Sequence, residues 1–149
     1  MDGTATPLTG VLPCYKNQFQ IGAPGAQTLN NIADMESFST SFDDGIEEWS
    51  PFDQDGWKRR LKTAKSITIS VKGKRNIGDA GNDFVASLIF KNGRDSECDF
   101  TWTFPDGTIV KFPNAIVNVK NFGSGDSTNA APLEFDILSN GKPVITLAA

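Results

Sequence analysis

The sequence predicts a mainly β fold: a β-sandwich or partly closed barrel of about seven or eight strands, with one flanking α-helix and an extended N-terminal arm. Three observations predict it. Apolar–polar alternation recurs in short runs, most clearly in Ser66-Ile67-Thr68-Ile69-Ser70-Val71-Lys72. Turn signals separate the runs, above all Pro105-Asp106-Gly107 and Asn140-Gly141. One stretch only, near residues 82–91, has helical periodicity.

Residues 1–30 read as the arm and residues 31–149 as a single domain behind it. Gly3, Pro7, Gly10, Pro13, Gly22, Pro24 and Gly25 interrupt any long element in the arm. Its one β-like piece, Asn17-Gln18-Phe19-Gln20-Ile21-Gly22, puts Phe19 and Ile21 on one face. An arm of this kind either leads loosely into the domain or pairs with a neighbouring copy. The second reading makes Asn17, Phe19 and Ile21 candidates for self-association.

Residues 32–43 read as a strand that Asp43-Asp44-Gly45 ends. Residues 45–57 read as a loop carrying Trp49, Phe52 and Trp57 beside Glu47, Glu48, Asp53 and Asp55. Large aromatics in an acidic loop either plug the end of a barrel or anchor a contact, which adds Trp49 and Trp57 to the self-association candidates. In residues 66–72, Ile67, Ile69 and Val71 face a core. The helix takes Asp79 or Asn82 as its N-cap, presents Phe84, Val85, Leu88 and Ile89 as one stripe, and stops at Asn92-Gly93. A helix so short needs a sheet to lie on. Cys98, Phe100, Trp102 and Phe104 then share a strand face, and the Pro105-Asp106-Gly107 turn returns the chain through residues 108–112. Residues 115–122 read as a further strand, residues 123–129 as a polar loop and residues 133–137 as another strand. Asn140-Gly141 reads as a two-residue hairpin into residues 142–147.

The bulk numbers exclude several function classes. A chain of 149 residues is the size of one domain and buries roughly 70% of its unfolded surface. Its net charge of −4 argues against a protein that grips phosphate backbones. No apolar run is long enough to span a membrane. Residues 1–13 lack the pattern of a secretory signal. Two cysteines, Cys14 and Cys98, are too few for a disulfide framework and are expected as free thiols, although one bridge stays open. The chain has no histidine, which removes Ser–His–Asp and Cys–His nucleophile systems and His-ligated zinc.

What remains for catalysis or cofactors is thin. Asp53-Gln54-Asp55-Gly56 lacks the third ligand and the closing Glu of a calcium loop. Gly78-x-x-Gly81 and Gly123-x-Gly125 are fragments of phosphate-loop patterns without the strand–helix setting, and read as turns. Asp43/Asp44 and Glu47/Glu48 read as solvated surface, since glycoside hydrolysis needs carboxyls facing across a cleft at roughly 5–9.5 Å. No catalytic residue, cofactor or metal ligand is expected. The basic cluster Lys58-Arg59-Arg60 with Lys62 and Lys65 reads as a salt-bridging surface for a neighbouring acidic one.

Several pieces, taken in order, carry a resemblance. They are Asn17 to Gly22, Phe42 to Gly45, and Gly56-Trp57-Lys58-Arg59. The Gly-Asp-x-Gly-Asn-Asp-aromatic run from Gly78 to Phe84 follows, then Phe104-Pro105-Asp106-Gly107 and Gly123-Ser124-Gly125-Asp126. This order resembles the major tail tube protein of long-tailed, siphovirus-like bacteriophages, over most of residues 17–149. The resemblance implies two packed β-sheets with a helix on one flank, six copies in a ring, and rings stacked into a hollow tube. The inner sheets of the copies would join edge to edge around a lumen. A tape-measure protein would fill the lumen during assembly, and tail terminator and distal tail proteins would cap the tube. Double-stranded DNA would pass through without specific binding. The location would be the virion tail, after synthesis and assembly in the cytoplasm of a bacterial host, with no membrane partner. An acidic lumen would let a polyanion slide, and Glu134 and Asp136 are the expected lining residues. Two rivals stand beside this reading. One is a monomeric carbohydrate-binding β-sandwich that stacks sugars on Trp49, Trp57 and Trp102; the other is a tail completion or head-decoration protein.

Overall fold

The computed structural model describes residues 9–148. Positions 1–8 of the expected arm, with Gly3 and Pro7, lie outside the described residues. Eight strands form one antiparallel sheet: β1 (Gln18–Gly22), β2 (Asn30–Asn31), β3 (Met35–Trp49), β4 (Arg59–Lys74), β5 (Glu97–Thr103), β6 (Ile109–Phe122), β7 (Pro132–Leu138) and β8 (Val144–Thr146). The order is β2-β1-β5-β6-β7-β4-β3, with β8 beside β6. The one α-helix among the described residues, α1 (Ala80–Ser87), lies against β1, β2 and β6.

The register explains why the sheet coils. One apolar row crosses β6, β7, β4 and β3 through Val119, Phe135, Val71 and Phe38. Another crosses β1, β5 and β6 through Phe19, Trp102 and Val110. Both rows are on the same face, so burying them requires the sheet to roll over itself. Phe100, Phe112, Phe135, Ile69 and Ile137 are thereby buried, each stabilising the fold by roughly 1.5–3 kcal/mol relative to exposure. The roll does not close into a barrel: a cleft of about 500 Å³ stays open between β1 and the start of β3, walled by Phe19, Ile32, Met35 and Phe38.

Several expectations need correction. Residues 18–22 belong to the sheet, with Ile21 fully buried and paired to Phe100. Residues 45–49 are strand, because the chain continues straight through Asp43-Asp44-Gly45 to Trp49. The expected strands at 108–112 and 115–122 are one strand. Asn114 takes a left-handed φ of 53° there, and the buried Asp99 carboxylate accepts its N–H at 3.0 Å. The other Asp99 oxygen accepts the Gly25 N–H at 2.9 Å. Asn140-Gly141 does not reverse the chain. β7 and β8 both run antiparallel to β6, at successive stretches of it, so the segment between them is a detour and not a hairpin.

The helix ends at Ser87, earlier than Asn92-Gly93, and begins at Ala80 with Asp79 as its N-cap. Asp79 Oδ2 accepts N–H groups from Asn82 at 3.0 Å and Ala33 at 3.1 Å. Gly81 has no room for a Cβ, which would press on the Asn31 backbone carbonyl. Asn82 is fully buried and fully satisfied. Its Oδ1 accepts from Arg75 Nη1 and the Asn76 N–H, and its Nδ2 donates to the carbonyls of Ala33 and Lys74. The Gly78–Phe84 run is therefore a docking device for the helix.

Candidate self-association surface

Four strands form a layer within the sheet, in the order β3-β4-β7-β6. Its two ends are open. β3 pairs only with β4, so its outer edge is unpaired along its length among the described residues. β6 loses its second partner halfway: β5 pairs with it only as far as Glu97↔Ile116, and residues 117–122 are bonded to β7 alone. Unpaired strand edges are templates for pairing with another chain.

The β3–β4 hairpin also outgrows the body. β7 pairs with β4 only over residues 68–74, leaving residues 59–66 of β4 paired to β3 alone. Phe42 and Ile46 alternate in phase with the core residue Phe38 and carry the apolar face outward, at 61% and 58% exposure. Leu61 and Trp49 lie on the reverse face, and Phe52 and Trp57 project from the tip, all exposed. The charges around them are matched within the hairpin. Asp44 holds Lys62 at 3.0 Å, and Glu48 meets Arg60 at 3.3 Å and Lys58 at 3.8 Å. Three of the basic cluster's five cations, Lys58, Arg60 and Lys62, thus meet acidic residues of the chain's own β3. Such exposed pairs contribute at most about 1 kcal/mol each. They offset charge beside Phe42 and Ile46 and leave the apolar residues as the contact feature.

Over residues 37–41 of β3, the face of the layer away from the core is polar. Ser37 is opposite Lys72, Ser39 opposite Ser70 and Ser41 opposite Thr68. Glu134 and Asp136 stand on this face of β7, though neither is a bare carboxylate. Asp136 is only 8% exposed; it accepts from Ser70 Oγ at 2.6 Å and meets Lys120 Nζ at 3.1 Å. Glu134 faces Lys72 across the register and accepts from Asn121 Nδ2 at 3.3 Å.

The other expected residues divide sharply. Asn17, Phe19 and Ile21 serve the chain's own fold: Asn17 Oδ1 accepts from Trp102 Nε1 at 2.8 Å, Phe19 stacks on Phe100, and Ile21 is core. Trp49 and Trp57 are at the exposed end of the hairpin. Trp102 lies between Phe38 and Phe104, so the three tryptophans do not form one stacking platform. Phe42, Ile46 and Leu61 escaped sequence reasoning. The signal was the Phe42/Ile46 spacing in phase with Phe38, hidden by the apparent stop at Asp43-Asp44-Gly45.

The titratable groups are structural. The Arg75 guanidinium, 2.7 Å from Asp83, holds that carboxyl below its ordinary value, helped by the Gly78 N–H. Burial pushes the Cys98 thiol up to about 12, and the neighbouring Asp99 adds to the shift. Cys14 is exposed, and both thiols are free. No cluster of three or more His, Cys, Asp or Glu among the described residues is placed to hold a metal.

No protein-family model matches the chain, and no curated protein matches it. Solved structures do. A chain from the tail of an empty gene transfer agent particle, refined with C6 symmetry, is 23% identical with a TM-score of 0.72, over 92% of this chain and 100% of that one. A chain from the virion of a native gene transfer agent particle is 19% identical with a TM-score of 0.70, over 92% and 100%. A chain from the sheath–tube complex of an extracellular contractile injection system is 17% identical with a TM-score of 0.59, over 91% of each. The protein shares its fold, across nearly its whole length, with chains of tail and sheath–tube assemblies.

Proposed function

We propose that this chain is the tail tube subunit of a phage-like particle. Copies join edge to edge into rings, rings stack into a hollow tube, and the tube is a non-enzymatic conduit through which double-stranded DNA passes without specific binding. The observation that carries this reading is the pair of open edges at opposite ends of one four-stranded layer. The layer has an even number of strands. Repeating it by rotation therefore sets β6 of one copy antiparallel to β3 of the next, the pairing already used throughout the sheet. This contact is heterologous, and it closes into a ring when the angle per copy is right. Closure removes the edges that would otherwise invite uncontrolled pairing. The fold shared with a chain from a C6-symmetric tail supports six copies per ring.

In this reading the projecting hairpin reaches a second copy and buries Phe42, Ile46, Trp49 and Leu61 there, with Trp57 at the contact's rim. Glu134 and Asp136 fall on the face turned to the lumen, which a tape-measure protein fills during assembly. Terminator and distal tail proteins cap the ends. The location is the virion tail, after assembly in the bacterial cytoplasm. Electron microscopy of the purified chain at rising concentration tests the proposal. Rings or tubes are the expected result; a chain that stays monomeric at every concentration overturns it.

A further inference from the structure

We propose that the apolar cleft beside β3 is completed by the neighbouring copy in the same ring, whose Phe90 and Phe122 close it from the β6 side. The inference rests on the tube reading above and adds a side-chain lock to the pairing of strand edges.

The cleft between β1 and the start of β3 is walled by Phe19, Ile32, Met35 and Phe38. Phe19, Met35 and Phe38 pack against the core but are only partly buried. A second unfinished apolar surface lies at the other margin of the layer. Phe122 at the end of β6, with Ile89 and Phe90 just beyond α1, flanks a groove of about 600 Å³. Phe90 is 94% exposed, so its side chain contributes little to the isolated fold. Phe122 is held in place: the Arg75 guanidinium lies 5.9 Å from its ring centroid, and Arg75 is itself fixed by Asp83 at 2.7 Å and Asn82 at 2.9 Å.

The register brings the two surfaces together. One cross-strand row runs Phe122–Leu133–Gly73–Met35. Residues directly opposite share a face, and Leu133 is fully buried, so Phe122 and Met35 both stand on the core side. They end the row three strand spacings apart, roughly 14 Å, too far for a copy to close its own cleft with Phe122. Setting β6 of one copy against β3 of the next makes the two ends neighbours. Strand tilt slides that meeting by a few residues, and the cleft extends to both sides of Met35, from Ile32 to Phe38. Charge does not oppose the burial. Of the ionic groups lining the two surfaces, Glu36 is paired with Lys74 at 3.4 Å and Arg75 with Asp83.

The test is covalent. Cys14 lines the cleft and is exposed, Cys98 is buried, and Ser87 lines the groove beside Phe90. Assembled Ser87→Cys rings or tubes, treated with a short bis-maleimide, should give a ladder on a denaturing gel that stops at the copy number of one ring. Adding Cys14→Ser should abolish the ladder. The native chain, with one reactive thiol, gives nothing beyond a dimer. A ladder that continues past one ring's copy number joins different rings and overturns the proposal. So does linkage confined to single chains, or no linkage at all. Phe90→Ser should fold as the native chain does and raise the concentration at which rings appear by about tenfold or more. A folded Phe90→Ser chain that forms rings at the native concentration overturns the role of that side chain. Failure of the native chain to form rings is a separate result, visible in the microscope beforehand, and it sinks the tube reading itself.

Discussion

Phe19 and Phe38 meet edge to face, with ring centroids 4.9 Å apart and planes inclined by 68°, although β1 and β3 lie toward opposite ends of the strand order. This contact latches the rolled sheet across its open seam, where no backbone hydrogen bonds join the two strands among the described residues. Phe38→Ala should therefore lower stability by about 3 kcal/mol, although Phe38 is only partly buried. Adding Phe19→Ala should cost less than its own single effect, because the partner ring is already gone. Urea unfolding followed by circular dichroism, on all four members of the cycle, checks both statements. Strictly additive losses would mean that the rings do not couple.

Gly81→Ala should destabilise the fold by about 3 kcal/mol, against the usual rule that alanine improves a helix by roughly 1 kcal/mol over glycine. The reason is local. The new Cβ would sit against the Asn31 carbonyl, with the carbonyl carbon 2.8 Å away, so α1 must lift off β2. A chemical denaturation midpoint at or above that of the native chain would show that the helix has room to spare.

The ion pair of Arg75 and Asp83 gives stability a pH dependence whose sign is fixed. Asp83 titrates below its ordinary 3.8 in the folded chain, mainly through the hydrogen bond from Arg75. The folded state thus binds its proton less readily than the unfolded state does. The resulting stabilisation is fully present above the unfolded value and is lost as pH falls through the folded one. Asp83→Asn should be less stable than the native chain at neutral pH, and the gap should narrow below about pH 4. Denaturation midpoints across that range give the answer; a gap that stays constant into acid would leave the pair without a measurable role.

Thiol chemistry separates the two cysteines. Cys14 is exposed, whereas Cys98 is buried with its thiol pushed up to about 12. A thiolate-selective reagent at neutral pH should titrate one thiol in the folded chain and two in denaturant. Two fast-reacting thiols in the native state would contradict the packing of β5 against β6.

Sequence reasoning found the elements whose stability is local. The Pro105-Asp106-Gly107 turn is where it was expected, with the Gly107 N–H donating to the Phe104 carbonyl at 3.0 Å and Gly107 at φ 97°. Of the two N-cap candidates, Asp79 and Asn82, it is Asp79 that caps the helix. What stayed hidden depends on partners distant in sequence. Asp43-Asp44-Gly45 looks like a stop, yet the strand continues because cross-strand pairing with β4 replaces burial there. The segments 108–112 and 115–122 read as separate strands, but Asp99 from β5 supplies the hydrogen bond that lets Asn114 turn left-handed within one strand. Asn140-Gly141 has hairpin chemistry, but β6 offers a second stretch of edge and the chain takes that. The open edge of β6 exists only because β5 stops pairing at Glu97, and no local pattern encodes where a neighbouring strand ends.

The hairpin supplies the sharpest separation of folding from assembly. Phe42 and Ile46 continue the core face but lie beyond the last residues that β7 and β5 cover. If a second copy covers them, they contribute little to the isolated fold and much to association. Phe42→Ser with Ile46→Ser should shift the monomer's unfolding free energy by no more than about 0.5 kcal/mol, while abolishing rings and tubes in sedimentation and electron microscopy. Trp49→Ala should behave the same way, being at the far end of β3 on the reverse face. A loss of several kcal/mol in the monomer would place these side chains in an intramolecular core. Unimpaired assembly by a folded double variant would show that the hairpin stands clear of the contacts between copies, leaving the strand edges to carry association alone.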